Sequence, residues 1–246
     1  MPSPPHGPYF SLRVVFPGRG AAEILLSAYH GANRPTSKKL TTRRGGATMR
    51  QIQIGGNFMT HKGTQEIRTK RLTLRRFTVA DAQAMFDNWA SDEHVTRYLT
   101  WEPHVSPEAT AQLLADWTKA YSSPSHYNWV ITLDGVPIGS IAVVRVSERS
   151  EWAELGYCLG RAFWGQGLMT EAASAVIAFL FDEVGVNRVA ISHAVKNPAS
   201  GRVAQKCGLT LEGTARAYFK SAAGEWLDIR TYSILREEFE RARKGD

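Results

Sequence analysis

One short loop constrains this chain more than any other feature. An apolar run over Trp152–Leu159 leads through Gly160-Arg161-Ala162-Phe163 into Trp164-Gly165-Gln166-Gly167, and a helical run follows at once. Two glycines separated by a single residue let the backbone turn tightly and approach something bulky. A helix starting straight afterwards adds unpaired N–H groups and the positive end of its dipole. Together they form an anion site made of main chain alone. The fold must therefore deliver a strand, a tight loop and a helix in immediate succession.

The flanking segments supply the rest of an α/β pattern. T-K-R-L-T-L-R-R-F sets Leu72, Leu74 and Phe77 against basic residues, as in a half-buried strand. Asp81 opens a helical run with Ala84, Met85 and Trp89 at helical spacing. Ser106-Pro107-Glu108 is a helix start, followed by Leu113, Leu114 and Trp117 on one face. Asn128–Leu133 and Val136–Val146 are strands joined by Asp134-Gly135, a hairpin signal. Thr170–Val184 is a helix whose buried stripe is Ala173, Val176, Ile177 and Leu180. Arg188–Val195 is an apolar strand, and Asn197–Cys207 a short helix ended by Gly208. Glu225–Arg236 reads as a last strand before a charged tail. The expected order is β-α-α-β-β-β-α-β-α-β, with room for one more strand at the end.

Charge divides the chain in two. Residues 1–58 hold eight of the 30 Lys and Arg and one of the 23 acids, a net of +7, which is the whole imbalance of the chain. That segment, rich in Pro, Gly, Ser and Thr, reads as a disordered basic extension, and residues 59–246 as the folded domain. The domain is neutral in sum, so nucleic acid is not an expected partner. No apolar run is long enough to span a membrane, and the start lacks the order of a secretory signal. Cys158 and Cys207 form no metal spacing, and a reduced, cytoplasmic protein is expected.

The segment E-L-G-Y-C-L-G-R-A-F-W-G-Q-G-L-M-T-E-A, followed by N-P-A-S-G-R-V-A-Q-K-C-G-L-T-L-E-G, resembles the GNAT N-acetyltransferases. The likeness is narrower still to their branch that acetylates ribosomal-protein N-termini. R-L-T-L-R-R-F-T-V-A-D-A, E-H-V-T-R-Y-L-T-W-E-P and D-I-R-T-Y-S-I-L-R-E-E-F match that branch's beginning, substrate region and end. The resemblance covers roughly residues 66–240. It implies an α/β (mixed α+β) GNAT fold, a central, mostly antiparallel, splayed mixed β-sheet flanked by helices. It also implies acetyl-CoA as co-substrate, with no metal, and an amine acceptor that is a protein N-terminus or a small molecule. A homodimer stays open. The alternative class is a non-catalytic acetyl-CoA sensor, or a scaffold brought to RNA by its basic arm.

The resemblance also assigns roles. The diphosphate would lie on the N–H groups of Gly165, Gln166, Gly167 and Leu168, with Met169 and the hydroxyl of Thr170 beside it. The loop's usual Gln or Arg, three residues before the first glycine, is here Ala162, and Arg161 is the expected substitute. Tyr157, Cys158 and Leu159 would hold the pantetheine arm like an added strand. The N–H of Cys158 or Leu159 would polarise the thioester carbonyl. Asn197 and Ser200 would reach cofactor or substrate. The base expected to strip the amine is Glu154, ahead of Glu151 and His193, while Glu171 suits the dipole of the helix's first turn. The family's Tyr acid falls at Ala204, which leaves Tyr218, Tyr232 or Ser200 as substitutes. Tyr98, Trp101, Tyr218 and Trp226 are the expected acceptor lining.

Overall fold

The computed structural model describes residues 59–221 and 224–245; the basic extension expected over 1–58 lies outside the described residues. Eight strands form one sheet in the order β1-β2-β3-β4-β5-β6-β8-β7, from β1 (Ile67–Arg68), β2 (Leu72–Arg75), β3 (Asn128–Leu133), β4 (Val136–Ser147), β5 (Trp152–Leu159), β6 (Arg188–Ala194), β7 (Thr210–Lys220) and β8 (Trp226–Leu235). Every pairing is antiparallel except β5 with β6. This is the mostly antiparallel mixed sheet that was expected.

Two helical layers cover the sheet. Helices α1 (Ala82–Met85), α2 (Glu93–Thr96) and α3 (Pro107–Ala120) lie on one face. Their core gathers Phe77, Trp89, Leu114 and Val130, and reaches β5 only at Cys158. On the other face α4 (Leu168–Phe179) presents Leu168, Met169, Ala172, Ala173, Val176 and Ile177 to Leu155, Val189, Ile191 and Ile234. The stripe read from helical periodicity is the stripe that is buried. Helix α5 (Pro198–Lys206) adds Ala204 to this core, and α6 (Arg236–Lys244) adds Phe239.

Local chemistry sets the element ends. The β3–β4 turn uses Asp134 and Gly135 at φ of 50° and 81°, the positive pair a tight hairpin needs. Ser106 caps α3 by accepting from the Ala109 N–H at 3.2 Å. Asp81 stands at the N-cap position of α1, after a 3-10 turn over Val79–Asp81 capped by Thr78, but its side chain makes no cap bond to α1. Asp81 is buried instead, taking both guanidinium arms of Arg75 at 2.7 and 2.8 Å and the Thr78 N–H at 2.8 Å.

The C-terminal region differs most from the sequence reading. A full strand, β7, precedes the expected last one, and the charged tail is helical. Strand β7 is an edge strand exposed along almost its whole length, so its sequence carries no burial alternation. In α6 only Phe239 packs inward, its ring 4.7 Å from Phe181, while Arg236 donates to the carbonyls of Phe181 and Val186.

Burial alone would raise the Asp81 carboxyl, but the Arg75 fork and Thr78 hold it below its ordinary value. A depressed carboxyl stabilises the fold at neutral pH and loses that contribution as pH falls from about 3.8 through the folded value. Asp81→Asn should therefore cost about 3 kcal/mol at pH 7. In chemical denaturation the gap to the parent chain should narrow toward pH 3.

Candidate active site

The site begins where the sheet comes apart. Strands β5 and β6 pair only from Trp152↔Arg188 to Leu155↔Ile191. Beyond that rung β5 continues against β4 as far as Leu159, and β6 against β8 as far as Ala194. A gap therefore opens between two strands in mid-sheet.

Register shows which backbone groups face it. Gly160 donates to the Ile138 carbonyl at 2.8 Å, and Ser140↔Cys158 and Ala142↔Gly156 follow in the same register. Antiparallel pairs alternate between bonded and unbonded, so Cys158 turns its N–H toward β4. Tyr157 and Leu159 turn theirs toward the gap. Of the two N–H groups expected at the thioester, that of Leu159 faces the gap and that of Cys158 does not. The Leu159 carbonyl is already taken by the Trp164 indole N–H at 2.7 Å, which anchors the loop to the end of the strand.

The loop has the predicted construction. Gly165 and Gly167 both stand at φ of 75°, a conformation costly for any residue with a side chain. Gly167 is itself the N-cap of α4, with no side-chain cap. Among the described residues, the N–H groups of Gly165, Gln166, Gly167 and Leu168 have no hydrogen-bond partner. A Cβ built at Gly165 meets nothing within 4 Å, and one at Gly167 meets only Arg71, at 3.8 Å. Four unpaired donors at a helix start suit a diphosphate.

Side-chain charge reaches the loop from an unexpected place. Arg161 turns away to Asp92, at 3.0 Å. Arg71, at the entry to β2, donates from Nη1 to the Gln166 carbonyl at 3.0 Å and from Nε to Glu171 at 2.7 Å. Thr69 Oγ1 and the Arg71 N–H add to the same carboxylate at 2.6 and 2.9 Å. Burial raises the Glu171 carboxyl, but these donors together hold it below its ordinary value. Glu171 thus ties the first turn of α4 to β2, beyond any dipole effect. Only a basic residue in a run of basic residues marks Arg71 in the sequence.

On the α1–α3 face, Glu154 is 6 % exposed and sits opposite Arg145 across the β4–β5 ladder. A bulge at Val144 brings Arg145 to this face. Arg145 Nε and Nη2 both contact Oε2 of Glu154, and no described side chain bonds to Oε1. Tyr218 Oη lies 3.5 Å from Arg145 Nη1, which draws the far end of β7 into the cluster. Glu151 is a turn residue at φ of 50°, at the end of β5 away from the gap.

His193 lies on the opposite face. Its Nδ1 donates to the Ala194 carbonyl at 2.7 Å, and its Nε2 is buried without a partner. Burial, ahead of other causes, lowers its basicity.

Helix α5 closes the other side. Asn197 Oδ1 accepts from the Ser200 N–H at 3.3 Å and so caps α5. Ser200 Oγ is 3.0 Å from the Tyr157 hydroxyl, a link from the free part of β5 to α5. Burial pushes the Tyr157 hydroxyl well above its ordinary range. Ala204 is fully buried in the core, and Tyr232 is buried against the His193 ring. Cys158 is half-buried with Sγ 3.2 Å from Ser140 Oγ, and burial raises its thiol, consistent with a packing role.

The aromatic residues separate. Tyr98 lies under the Arg97 guanidinium and Trp101 beside His104, both with the α1–α3 layer. Trp226 is exposed near Lys220. Among the described residues, hydrogen bonding links Tyr218 alone of the four to the Arg145–Glu154 pair.

Residues 71–210 match the family model described as acetyltransferase (GNAT) domain, more than half of the chain. The chain belongs to the GNAT acetyltransferases. It is an acetyl-CoA-dependent N-acetyltransferase of that family. It is 30 % identical to the uncharacterized N-acetyltransferase YoaA of Bacillus subtilis, over 69 % of this chain and 96 % of that one. It is 28 % identical to the uS5 ribosomal-protein alanine N-acetyltransferase of Escherichia coli, over 65 % and 85 %. Among solved structures, a GNAT-family acetyltransferase from Bacillus anthracis aligns over 70 % of this chain and 99 % of its own at a TM-score of 0.62 and 25 % identity. Among the described residues no helix is long and apolar enough to cross a membrane.

Gly201 of α5 shows how tightly this side is packed. A Cβ there would stand 2.7 Å from His193 Nε2. An exposed helix glycine gains about 1 kcal/mol on becoming Ala, whereas Gly201→Ala should destabilise by about 1–3 kcal/mol through overpacking. The loss should disappear in a His193→Ala background, measured by urea denaturation.

Proposed function

We propose that this acetyltransferase moves the acetyl group directly to a primary amine, with a protein N-terminal α-amine as first choice and a small-molecule amine as the other. The observation that carries this reading is Glu154. It is a buried carboxylate with one oxygen held by Arg145 and the other without a partner among the described residues, on the strand that leads into the gap. The name of the E. coli relative supports a protein N-terminus as acceptor.

In this reading acetyl-CoA supplies an activated acyl group, and the chain supplies position and protons. The N–H groups of Gly165, Gln166, Gly167 and Leu168 hold the diphosphate, with Met169 and Thr170 in the same helical turn. The gap-facing N–H and C=O of Tyr157 pair with the amides of the pantetheine arm, beside Cys158 and Leu159. Asn197, whose Oδ1 caps α5, offers its amide nitrogen to the same arm. The Leu159 N–H points where negative charge develops on the carbonyl oxygen. Glu154 takes the proton that the attacking nitrogen must lose. Ser200, hydrogen-bonded to the Tyr157 hydroxyl, relays a solvent proton to the departing sulfur, taking up one proton as it gives one. Tyr98, Trp101, Tyr218 and Trp226 are the proposed acceptor lining, with Tyr218 nearest the Glu154 pair.

Glu154→Gln should lower kcat by about 100-fold or more and leave coenzyme A affinity unchanged, as measured by thiol release with peptide N-termini, polyamines and aminoglycosides. Undiminished turnover would remove Glu154 as the base. Gly165→Asp should fold at a modest backbone cost, because its Cβ meets nothing and Asp tolerates left-handed backbone better than most residues, yet lose coenzyme A binding in calorimetry. Retained affinity would remove the loop as the diphosphate site.

A further inference from the structure

We propose that Arg71, from the turn that enters β2, is a diphosphate-contacting residue that supplies the loop's side-chain charge. The inference rests on the coenzyme-binding reading of Gly165–Leu168 and extends it to a residue outside the loop.

Three observations carry it. The first is position: Arg71 Nη2 lies 3.8 Å from the point where a Gly167 Cβ would stand, beside the residues whose N–H groups are unpaired. The second is orientation. Nε is fixed by Glu171 and Nη1 by the Gln166 carbonyl, so the fork is held by the helix and the loop together. Among the described residues Nη2 has no hydrogen-bond partner. A planar guanidinium held at two nitrogens presents its third with little further loss of freedom.

The third observation is charge. Glu171 places a carboxylate in the first turn of α4, where an incoming diphosphate would meet like charge. Arg71 offsets that carboxylate and adds donors on the anion's side. Main-chain dipoles supply fractional charge, while a diphosphate brings full charges; a fixed guanidinium makes up part of the difference. Arg161, the other cation near the loop, is committed to Asp92.

The test is calorimetric binding of coenzyme A and of dephospho-coenzyme A, which keeps the diphosphate and lacks the ribose phosphate. Arg71→Ala should weaken both ligands equally, by about 10-fold or more, the loss expected of one charge-assisted contact. It should also flatten the dependence of affinity on salt. A loss confined to coenzyme A would overturn the assignment, by placing Arg71 on the ribose phosphate.

The double variant Arg71→Ala, Glu171→Gln separates contact from neutralisation. A persistent loss supports direct contact, while full recovery overturns it and leaves Arg71 only a counter-charge to Glu171. Coenzyme A binding by the parent chain with unchanged affinity in Arg71→Ala refutes this inference alone. No binding by the parent chain refutes the loop reading itself.

Discussion

The site depends on a missing rung. After Leu155↔Ile191 the ladder between β5 and β6 stops, although both strands continue, each held by its other neighbour. Backbone groups within a sheet are normally paired, and leaving them unpaired is costly when they are buried. Here solvent or a ligand must supply the partner. The parting is stable because each strand keeps one full ladder and because α4 packs across both, with Val176 and Ile177 in the core that also holds Leu155 and Ile191.

The loop and its helix extend the same logic. The end of β5, the glycine turn and the start of α4 form one ribbon carrying two groups of unpaired donors, the N–H groups of Tyr157 and Leu159 and those of Gly165–Leu168, the second bent by positive φ at Gly165 and Gly167. Side chains fix the ribbon from outside. Trp164 ties it to Leu159, and Arg71 and Glu171 tie it to β2. The donors stay open because the fixing contacts go to carbonyls and to a carboxylate.

Much of this was legible in the sequence, for identifiable reasons. The alternation of Leu72 and Leu74, the Asp134-Gly135 turn, the Ser106 cap and the stripe of α4 are local signals, and each appears in place. What the sequence did not show is non-local. Strand β7 buries almost nothing, and α6 is a charged segment held by Phe239 and Arg236, so neither carries a periodic apolar pattern. Arg71 meets the loop only because β2 passes near α4, 95 residues from Gln166 along the chain. The assignment of the gap-facing N–H groups required the β4–β5 register, which residue types do not encode.

The bulge at Val144 has a consequence for how this strand can change. Val143 opposes Leu155 and Arg145 opposes Glu154, so a single extra residue decides which face Arg145 takes. Without it Val144 would stand opposite Glu154, and the guanidinium would turn toward the hydrophobic layer under α4. The ion pair therefore depends on where β4 breaks step with β5 as much as on its residue types. Deleting Val144 would remove the extra residue and the bulge together and still leave Arg145 opposite Glu154, so the pair tolerates loss of that residue but not a regular pairing of the residues present.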